Sequence, residues 1–386
     1  MITLSKKSAN IIQSEIRAMS IACYEKGGIN LAQGVCDMET PSVLFDGAAK
    51  AFNANKNTYT QAEGIYEIRD QIAKKEFREK GLVLDANKNI VLSDGATGAF
   101  YSAVLATLNP GDSVIVFEPY YGYHIATLAF ADINIKYVRM DAKNNWSFSV
   151  DDIISRIDKT TRAIIINTPS NPSGKVFSQE ELELLGDICE RYNMFVISDE
   201  IYEYFVYDGK KHISPMQIEK LKNRTIIVGG FSKSYSITGW RVGYSIANEE
   251  VSHAITQFSD LVYVCSPSIL QYGVAEAMQT LTPEYYENLQ KTHLYKREIF
   301  CQTLSDIGLN PFVPSGAYYV LADASRIKAK NSKERALLFL DKTGIAGVPG
   351  SAFYHDNSGD NYIRLCFAKD LEVLNDVCEK LRKAKL

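Results

Sequence analysis

The sequence has little that would suit a membrane, a nucleic acid or a structural metal ion. No apolar stretch approaches the ~20 residues that a membrane-spanning helix needs. Lysine and arginine (42 residues) are interspersed with aspartate and glutamate (46 residues), so we expect no basic surface for nucleic acid or an anionic membrane. Seven dispersed cysteines without a C-x-x-C pair, and five histidines outside ligand spacing, argue against a disulfide framework and against a zinc site.

The amino terminus and the overall size narrow the class of protein further. Residues 1–7 lack the apolar core of a signal peptide, so we expect a cytoplasmic protein. A chain of 386 residues exceeds one ordinary hydrophobic core, which predicts two domains. With a net charge of -4 and no charged cluster, the expected partner is a small molecule.

The most informative stretch surrounds Lys233. It reads Gly-Phe-Ser-Lys-Ser-Tyr over residues 230–235, follows an apolar strand at 226–228 and has Arg241 eight positions further on. Glycine, serine and aromatic neighbours indicate a lysine that points inward. Burial and a nearby cation lower the pKa of an amine, which then becomes a nucleophile able to bind a carbonyl as a Schiff base. A solvated loop lysine is the alternative.

Several other apolar strands end in small or polar residues. The strand at 90–92 runs into Gly95, Ala96 and Thr97, which open a helix whose unpaired N–H groups suit a phosphate. Asn171 lies between two prolines after another strand, and Asp199 ends the next one. Ligands of open α/β sheets collect at the carboxyl ends of strands, whereas an ordinary turn or a helix cap is the alternative at each position.

Weaker patterns predict the remaining elements. Apolar spacing predicts helices over about 8–22 and 44–54, and Ser178 with Glu181 predicts a capping box for a helix ending near Tyr192. Helical segments are expected from 249 to 308, with a long one starting near Pro283. Further predictions are strands near 317–321, 345–348 and 362–367, and helices near Ser332 and Leu371.

Together these motifs resemble the class I and II aminotransferases, the aspartate aminotransferase superfamily of fold type I enzymes that depend on pyridoxal 5'-phosphate. The resemblance covers nearly the whole chain and lies in the order of Tyr59, Gly95, Asn171, Asp199, Tyr202, Lys233, Arg241 and Arg364. It implies an α/β fold: a large domain with a mostly parallel seven-stranded sheet flanked by helices, and a smaller α+β domain. The expected divisions are an N-terminal segment over the active site (1–44), a large cofactor-binding domain (45–285) and a small C-terminal domain (286–386).

The resemblance also implies roles at the cofactor. Lys233 would bind pyridoxal 5'-phosphate through its amine and then act as a base, while Asp199 would keep the pyridine nitrogen protonated. Tyr202 and Asn171 would donate to the phenolic oxygen, and Tyr121 would stack on the ring. The phosphate would be held by Gly95, Ala96, Thr97, Ser232 and Arg241. The family usually has serine where Gly230 stands, so phosphate binding would depend more on Ser232.

For the substrate, the resemblance implies that Arg364 binds the α-carboxylate, helped by Asn171 and by the backbone of Gly34. The guanidinium group suits this role because it donates two parallel hydrogen bonds to a carboxylate. Tyr59 would reach the cofactor phosphate of a neighbouring subunit, which implies a homodimer with shared active sites. Cys36 stands where the family usually has proline, so the shape of the N-terminal segment departs from the family pattern.

The expected reaction moves an amino group from an L-amino acid to a 2-oxo acid. Two alternatives stay open at this point. The same scaffold supports elimination, cyclisation and oxidase chemistry on amino acids, because the fate of the substrate carbanion depends on pocket details that these motifs do not specify. A binding protein that keeps the fold without turnover is the third possibility.

Overall fold

The fold is described by a computed structural model that covers residues 5, 7, 14–384 and 386. Within this part, the α-helices are α1 (Glu15–Glu25), α2 (Ser42–Asn53), α3 (Tyr66–Lys80), α4 (Gly95–Thr107), α5 (Gly122–Phe130), α6 (Val150–Arg156), α7 (Gln179–Tyr192), α8 (Glu249–Tyr263), α9 (Ser268–Thr280), α10 (Pro283–Asp306), α11 (Ser332–Thr343) and α12 (Leu371–Lys383). None of these helices is long and apolar enough to span a bilayer.

The strands form a large sheet, a small sheet and one short pair. They are β1 (Ile29–Asn30), β2 (Ile90–Asp94), β3 (Ser113–Glu118), β4 (Asn134–Arg139), β5 (Thr161–Asn167), β6 (Phe195–Asp199), β7 (Thr225–Gly230), β8 (Val242–Ile246), β9 (Asn310–Phe312), β10 (Tyr319–Asp323), β11 (Ile345–Ala346), β12 (Val348–Pro349) and β13 (Tyr362–Cys366).

The large sheet has seven strands in the order β2-β8-β7-β6-β5-β3-β4. Only β8 runs antiparallel to its two neighbours, and the remaining pairs are parallel. Six strands therefore end at the same edge of the sheet. The prediction of a mostly parallel seven-stranded α/β sheet is confirmed.

Burial on both faces explains why the strands read as continuous apolar runs. In β5, Ile164 and Ile166 belong to the core on one face, whereas Ala163 and Ile165 belong to the core on the other. This alternation follows from the two-residue period of a strand. Because helices cover both faces of the sheet, neither face of its central strands meets solvent, and apolar residues can occupy both.

The carboxyl-terminal part carries a smaller antiparallel sheet in the order β12-β13-β10-β9. The short strand β11, which comes just before β12, pairs in parallel with β1, residues 29–30 of the amino-terminal segment. The adjoining chain continues this contact, since the N–H of Cys366 donates to the carbonyl oxygen of Leu31. Residues 29–37 are thus held against the small sheet.

The helix predictions are confirmed with shifted boundaries. The capping box is present, because Ser178 Oγ accepts from the N–H of Glu181 and Glu181 caps Ser178 in return. The region from 249 to 308 contains three helices, and the third starts at Pro283 as predicted. The predicted helix over 8–22 begins at Glu15 in the structure, and its residues 8–13 lie outside the described part of the chain.

Two strand predictions in the carboxyl-terminal part need correction. The strand expected at 317–321 begins two residues later, because Ala317 has a positive φ of 57° and belongs to the turn before it. The strand expected at 345–348 is two strands, since Ala346 pairs with β1 and Val348 pairs with β13. Gly347 lies between them, packed where a Cβ atom would meet Leu365.

Candidate active site

The predicted site residues meet at the edge where the parallel strands end. Asp199 ends β6, Asn167 ends the neighbouring β5, and Lys233 follows β7 by three residues. Gly95 opens α4 immediately after β2, and Tyr121 follows β3 just before α5. Residues distant in sequence are therefore neighbours because parallel strands share one carboxyl edge.

Lys233 points inward, as its sequence neighbours indicate. Its Nζ donates to the carbonyl oxygen of Gly34 at 2.9 Å. Burial, with a smaller contribution from the charge of Arg241, lowers the pKa of this amine from its ordinary value of 10.5 to about 8. About a tenth of the amine is consequently neutral and nucleophilic at pH 7.

Asp199 is paired with a histidine that the motifs did not identify. Its Oδ2 lies 3.0 Å from His124 Nε2, and both side chains are buried. The other oxygen, Oδ1, accepts from the N–H of Ile201 at 3.1 Å. His124 is itself stacked on Phe100, with ring centroids 4.2 Å apart. These contacts hold the carboxylate in one orientation at the base of the site.

The first turn of α4 and Arg241 form a cradle suited to an anion. Arg241 Nη2 donates to the carbonyl oxygen of Asp94 at 3.2 Å, and Nη1 donates to that of Thr238 at 2.9 Å. Gly95 has φ +70°, and a Cβ atom there would lie 2.8 Å from Arg241 Cζ. Glycine is required because any side chain would collide with the guanidinium group. The free N–H groups of the first helical turn add their positive dipole at this point.

Gly230, where the family usually has serine, is tightly packed. A Cβ atom at this position would lie 3.0 Å from Ile201 Cδ1 and 3.3 Å from the Cα of Gly243. A serine would therefore require a small shift of the Ile201 side chain. Ser232, two residues on, is buried and lines the cavity.

A pair of tyrosine hydroxyls faces the same space. Tyr202 Oη lies 3.0 Å from Tyr319 Oη, and burial raises the pKa of both phenols, that of Tyr319 to about 12. Both therefore stay protonated and can donate hydrogen bonds. A Cβ atom on Gly34 would lie 2.7 Å from Tyr319 Cζ, so the glycine lets the N-terminal segment pass over these rings.

Arg364 is fully buried in the middle of β13. Its Nη1 donates to Asn171 Oδ1 at 2.9 Å, its Nη2 donates to the carbonyl oxygen of Ala32, and its guanidinium lies 4.4 Å from the ring centroid of Tyr319. Its Nε has no hydrogen-bond partner, and no carboxylate among residues 14–384 forms an ion pair with it. A buried cation without an anion is costly, so this site favours a carboxylate ligand.

One cavity of about 520 Å³ joins these groups. The predicted residues that line it are Gly34, Ala96, Thr97, Tyr121, Asn171, Asp199, Tyr202, Ser232, Lys233, Arg241 and Arg364. Gly95 lies just behind this wall, in contact range of Arg241. Tyr59 does not line the cavity of its own chain, and its side chain is 80 % exposed.

Other lining residues escaped the sequence analysis. They include Ile16, Arg17, Gln33, Phe100, Tyr123, His124, Thr127, Asn167 and Tyr319. His124 had a usable signal, since a histidine in the first turn after a buried strand lies at the ligand edge. Tyr319 had no such signal because it belongs to an apolar strand, and Arg17 had none because it belongs to an ordinary amphipathic helix.

A second cluster of charged side chains lies behind the Asp199 loop. Lys80 Nζ is 2.8 Å from Glu203 and 3.2 Å from Glu200, and Lys75 Nζ is 2.9 Å from Glu76. Nearby cations and His212 hold the pKa of the Glu200 carboxyl near 2 against the opposing effect of burial. The two ammonium groups and His212 pair with these three carboxylates, so the cluster acts as a support for the loop.

The fold and this site together define an α/β enzyme of the aspartate aminotransferase type. The protein-family model "Aminotransferase class I and II" matches residues 26–381. Similar proteins include an aspartate aminotransferase of Pyrococcus abyssi, 32 % identical over 96 % of this chain and 95 % of the relative. Human kynurenine–oxoglutarate transaminase 1 is 29 % identical over 93 % and 92 % of the two chains.

Solved structures give the same result. YbdL from Escherichia coli, described with a methionine aminotransferase function, superposes with a TM-score of 0.94 at 29 % identity, over 99 % of this chain and 100 % of that one. Aspartate aminotransferase from Thermus thermophilus gives a TM-score of 0.92 at 29 % identity with the same coverage. The chain belongs to the class I and II aminotransferase family. It is an aminotransferase, and the enzymes of this family generally depend on pyridoxal 5'-phosphate.

Proposed function

We propose that this enzyme transfers an amino group from an L-amino acid to a 2-oxo acid with pyridoxal 5'-phosphate bound at Lys233. The observation that carries the proposal is the pairing, in one cavity, of a buried amine with a pKa near 8 and a buried guanidinium without an anion. The amine suits an aldehyde, and the guanidinium suits the carboxylate that both amino acids and 2-oxo acids carry.

The residues of the cavity fit the cofactor. When bound, pyridoxal 5'-phosphate supplies an aldehyde that condenses with amines and a protonated ring that accepts an electron pair from the substrate Cα. The absence of a Cβ atom at Gly95 lets the guanidinium of Arg241 lie against the first turn of α4. There Arg241, Ser232 and the N–H groups of Ala96 and Thr97 would bind the phosphate. Asp199 would hold the proton on the pyridine nitrogen.

Hydrogen bonds from His124 and from the Ile201 N–H keep Asp199 oriented for that task. Asn171 and Tyr202 would donate to the phenolic oxygen, and the raised pKa of Tyr202 keeps its proton available for this bond. Tyr121 would stack on the ring, a contact worth roughly 0.5–1.5 kcal/mol beyond burial.

Lys233 would act twice. Its neutral amine would hold the cofactor through the aldehyde, and, when free, the same amine would accept the proton that leaves the substrate Cα. The carbonyl oxygen of Gly34, 2.9 Å from Nζ, holds the amine inside the cavity. Arg364, held by Asn171 at 2.9 Å, would bind the substrate carboxylate and so position the substrate Cα in the same cavity as this amine.

The finer predictions of the sequence belong to the same proposal. A homodimer in which Tyr59 reaches the partner's phosphate site accords with the 80 % exposure of this side chain. The division at 1–44, 45–285 and 286–386 accords with a seven-stranded sheet built from residues 90–246 and a four-stranded sheet built from residues 310–366. The cytoplasmic location stays a prediction.

A two-substrate assay tests the proposed function. The purified enzyme with its cofactor is mixed with one amino donor at a time. Two quantities are measured: the loss of the cofactor's visible absorbance and the amount of 2-oxo acid formed. Without an acceptor 2-oxo acid, we expect one molecule of product 2-oxo acid per active site. With an acceptor, we expect continuous turnover. Release of an eliminated, cyclised or oxidised product without an acceptor acid, or no reaction with any donor, would overturn the proposal. The Lys233→Ala variant is the matched control.

A further inference from the structure

Tyr319 lines the cavity but has no role in the chemistry proposed above. It is the first residue of β10 in the small sheet, and its side chain is buried. Leu321 of the same strand pairs with Arg364 of β13. Because alternate residues of a strand share one face, as do residues directly opposite each other, Tyr319 and Arg364 lie on the same face of the small sheet. The face that presents the buried guanidinium to the cavity therefore also presents a phenol.

The hydroxyl of Tyr319 reaches the loop that follows β6 of the large sheet. Tyr319 Oη lies 3.0 Å from Tyr202 Oη, and the two rings meet edge to face, with centroids 5.7 Å apart and planes at 89°. Both side chains are buried. The small sheet thus contacts a residue of the large sheet that is expected to bind the cofactor.

The direction of this hydrogen bond follows from the number of protons. A phenol hydroxyl has one proton to donate and lone pairs that accept. Burial raises the pKa of Tyr202 well above its ordinary value and that of Tyr319 to about 12, where the guanidinium of Arg364 opposes part of the rise. Both hydroxyls therefore keep their protons near neutral pH. When Tyr202 gives its proton to the phenolic oxygen of the cofactor, only Tyr319 can donate in the bond between the two hydroxyls.

Packing fixes the Tyr319 hydroxyl at this place. The N-terminal segment passes directly over it, because a Cβ atom on Gly34 would collide with this hydroxyl. The guanidinium of Arg364 lies over the ring, 4.4 Å from its centroid, and the ring of Tyr318 lies 4.9 Å away from centroid to centroid. The hydroxyl is therefore held beside Tyr202 while the N-terminal segment covers the cavity.

We infer that Tyr319 is a positioning residue whose hydroxyl donates to Tyr202 Oη and strengthens the hydrogen bond from Tyr202 to the phenolic oxygen of the cofactor. This inference rests on the proposed function, because it takes Tyr202 to face that oxygen. A hydroxyl that accepts one hydrogen bond becomes a better donor in the next, since the two bonds polarise each other. A side chain of the small sheet thus helps to keep the phenolic oxygen deprotonated, and the same sheet carries Arg364 for the substrate.

A spectroscopic pH titration of the enzyme with its cofactor tests this role. The visible band of the lysine-bound cofactor depends on its protonation, and hydrogen bonds donated to the phenolic oxygen favour the deprotonated form. We expect Tyr319→Phe to raise the midpoint of the titration by roughly 0.2–0.6 pH unit, and Tyr202→Phe to raise it more. Tyr207→Phe is the matched control, because it removes a buried hydroxyl that donates to the Ala317 carbonyl outside the cavity. Its midpoint should stay within about 0.1 pH unit of the wild-type value.

The double variant Tyr202→Phe/Tyr319→Phe shows whether Tyr319 acts through Tyr202. Each substitution keeps the ring and its packing, so the fold is retained. Without the Tyr202 hydroxyl, removal of the Tyr319 hydroxyl should move the midpoint by less than about 0.1 pH unit, because the acceptor of its hydrogen bond is gone.

Two results would overturn the inference while the cofactor stays bound to Lys233. One is the same midpoint in the wild type and in Tyr319→Phe, and the other is an equal shift with and without the Tyr202 hydroxyl. Absence of the visible band in the wild type would instead overturn the proposed function, and this inference with it.

Discussion

The Nζ atom of Lys233 lies 2.9 Å from the carbonyl oxygen of Gly34, a residue 199 positions earlier in the chain. This contact ties the N-terminal segment to the amine that the large sheet presents. Residue 34 must be glycine at this place, because a side chain there would collide with Tyr319. The amine is therefore buried by a segment whose own position depends on strand β11 and on Cys366.

The first prediction concerns pH and cofactor attachment. Burial lowers the pKa of the Lys233 amine from 10.5 to about 8, so the neutral form prevails above pH 8. Below that pH, the rate of covalent attachment of pyridoxal 5'-phosphate to the cofactor-free enzyme should fall about tenfold per pH unit. Stopped-flow absorbance between pH 6 and 9.5 measures this rate. A rate that still rises about tenfold per pH unit between pH 8 and 9.5 would show that the amine is not buried.

The second prediction is that Lys233→Met stabilises the cofactor-free protein. The unfolded chain protonates this amine below pH 10.5, but the folded protein does so only below about pH 8. Folding is therefore disfavoured by an amount that grows as the pH falls from 10.5 to 8 and is constant below. We expect roughly 1–3 kcal/mol more unfolding free energy for the variant at pH 7 and a smaller gain at pH 10. Urea denaturation at both pH values measures it, with exposed Lys222→Met as the control.

The third prediction compares two glycines of α4. Gly95→Ala puts a methyl group against the guanidinium of Arg241 at a positive φ, so cofactor affinity should fall at least about tenfold. Gly98→Ala in the same helix meets nothing closer than 3.4 Å and should bind the cofactor normally. Equilibrium dialysis against pyridoxal 5'-phosphate gives both constants. Equal affinities in the two variants would mean that the cradle does not hold the phosphate.

The fourth prediction compares two buried arginines. Arg364→Leu removes the cation expected to bind the substrate carboxylate, so kcat/KM should fall roughly 100-fold or more. Its fold should be retained, because no carboxylate among residues 14–384 loses a partner. Arg297→Leu instead leaves Asp208 unpaired outside the cavity, so it should lower stability and change kcat/KM only a few-fold. Steady-state kinetics and thermal unfolding of both variants separate the two effects, and the reverse pattern would contradict the assignment.

The fifth prediction concerns the charged cluster behind the Asp199 loop. Lys80→Met leaves three buried carboxylates with one fewer cation, which should cost roughly 3–5 kcal/mol of unfolding free energy. Lys50→Met removes the exposed pair with Glu276 and should leave the unfolding free energy nearly unchanged. Denaturant titration at pH 7 measures both. Similar losses would indicate that solvent, and not Lys80, balances these carboxylates.

Much of the site could be predicted from sequence because each of its motifs is local. The turn after β2, the asparagine between two prolines, Asp199 and the Lys233 stretch each combine a buried strand with an unusual polar residue within a few positions. Strand edges of parallel sheets then bring such residues together without further information. The order of these motifs was enough to indicate the family.

The residues that escaped prediction depend on contacts between distant segments. His124 meets Asp199 from 75 positions away, and Tyr202 meets Tyr319 from 117 positions away. His124 had a signal in its position after a buried strand, but its pairing with Asp199, and that of Tyr319 with Tyr202, follow only from the packing of α5 and of the small sheet against the large sheet. The two short strands around Gly347 likewise read as one apolar run and were separated only by their different pairing partners.

The sequence by itself therefore determined the strands of the large sheet and the lysine at its edge, because hydrophobic periodicity and turn chemistry act over a few residues, and its resemblance to a known family indicated the aminotransferase class. Only the tertiary structure decided which side chains surround that lysine and how far its pKa falls. Burial and charge depend on atoms from the N-terminal segment, the large sheet and the small sheet at once. The same is true of Arg17, which becomes part of the cavity only when α1 packs against it.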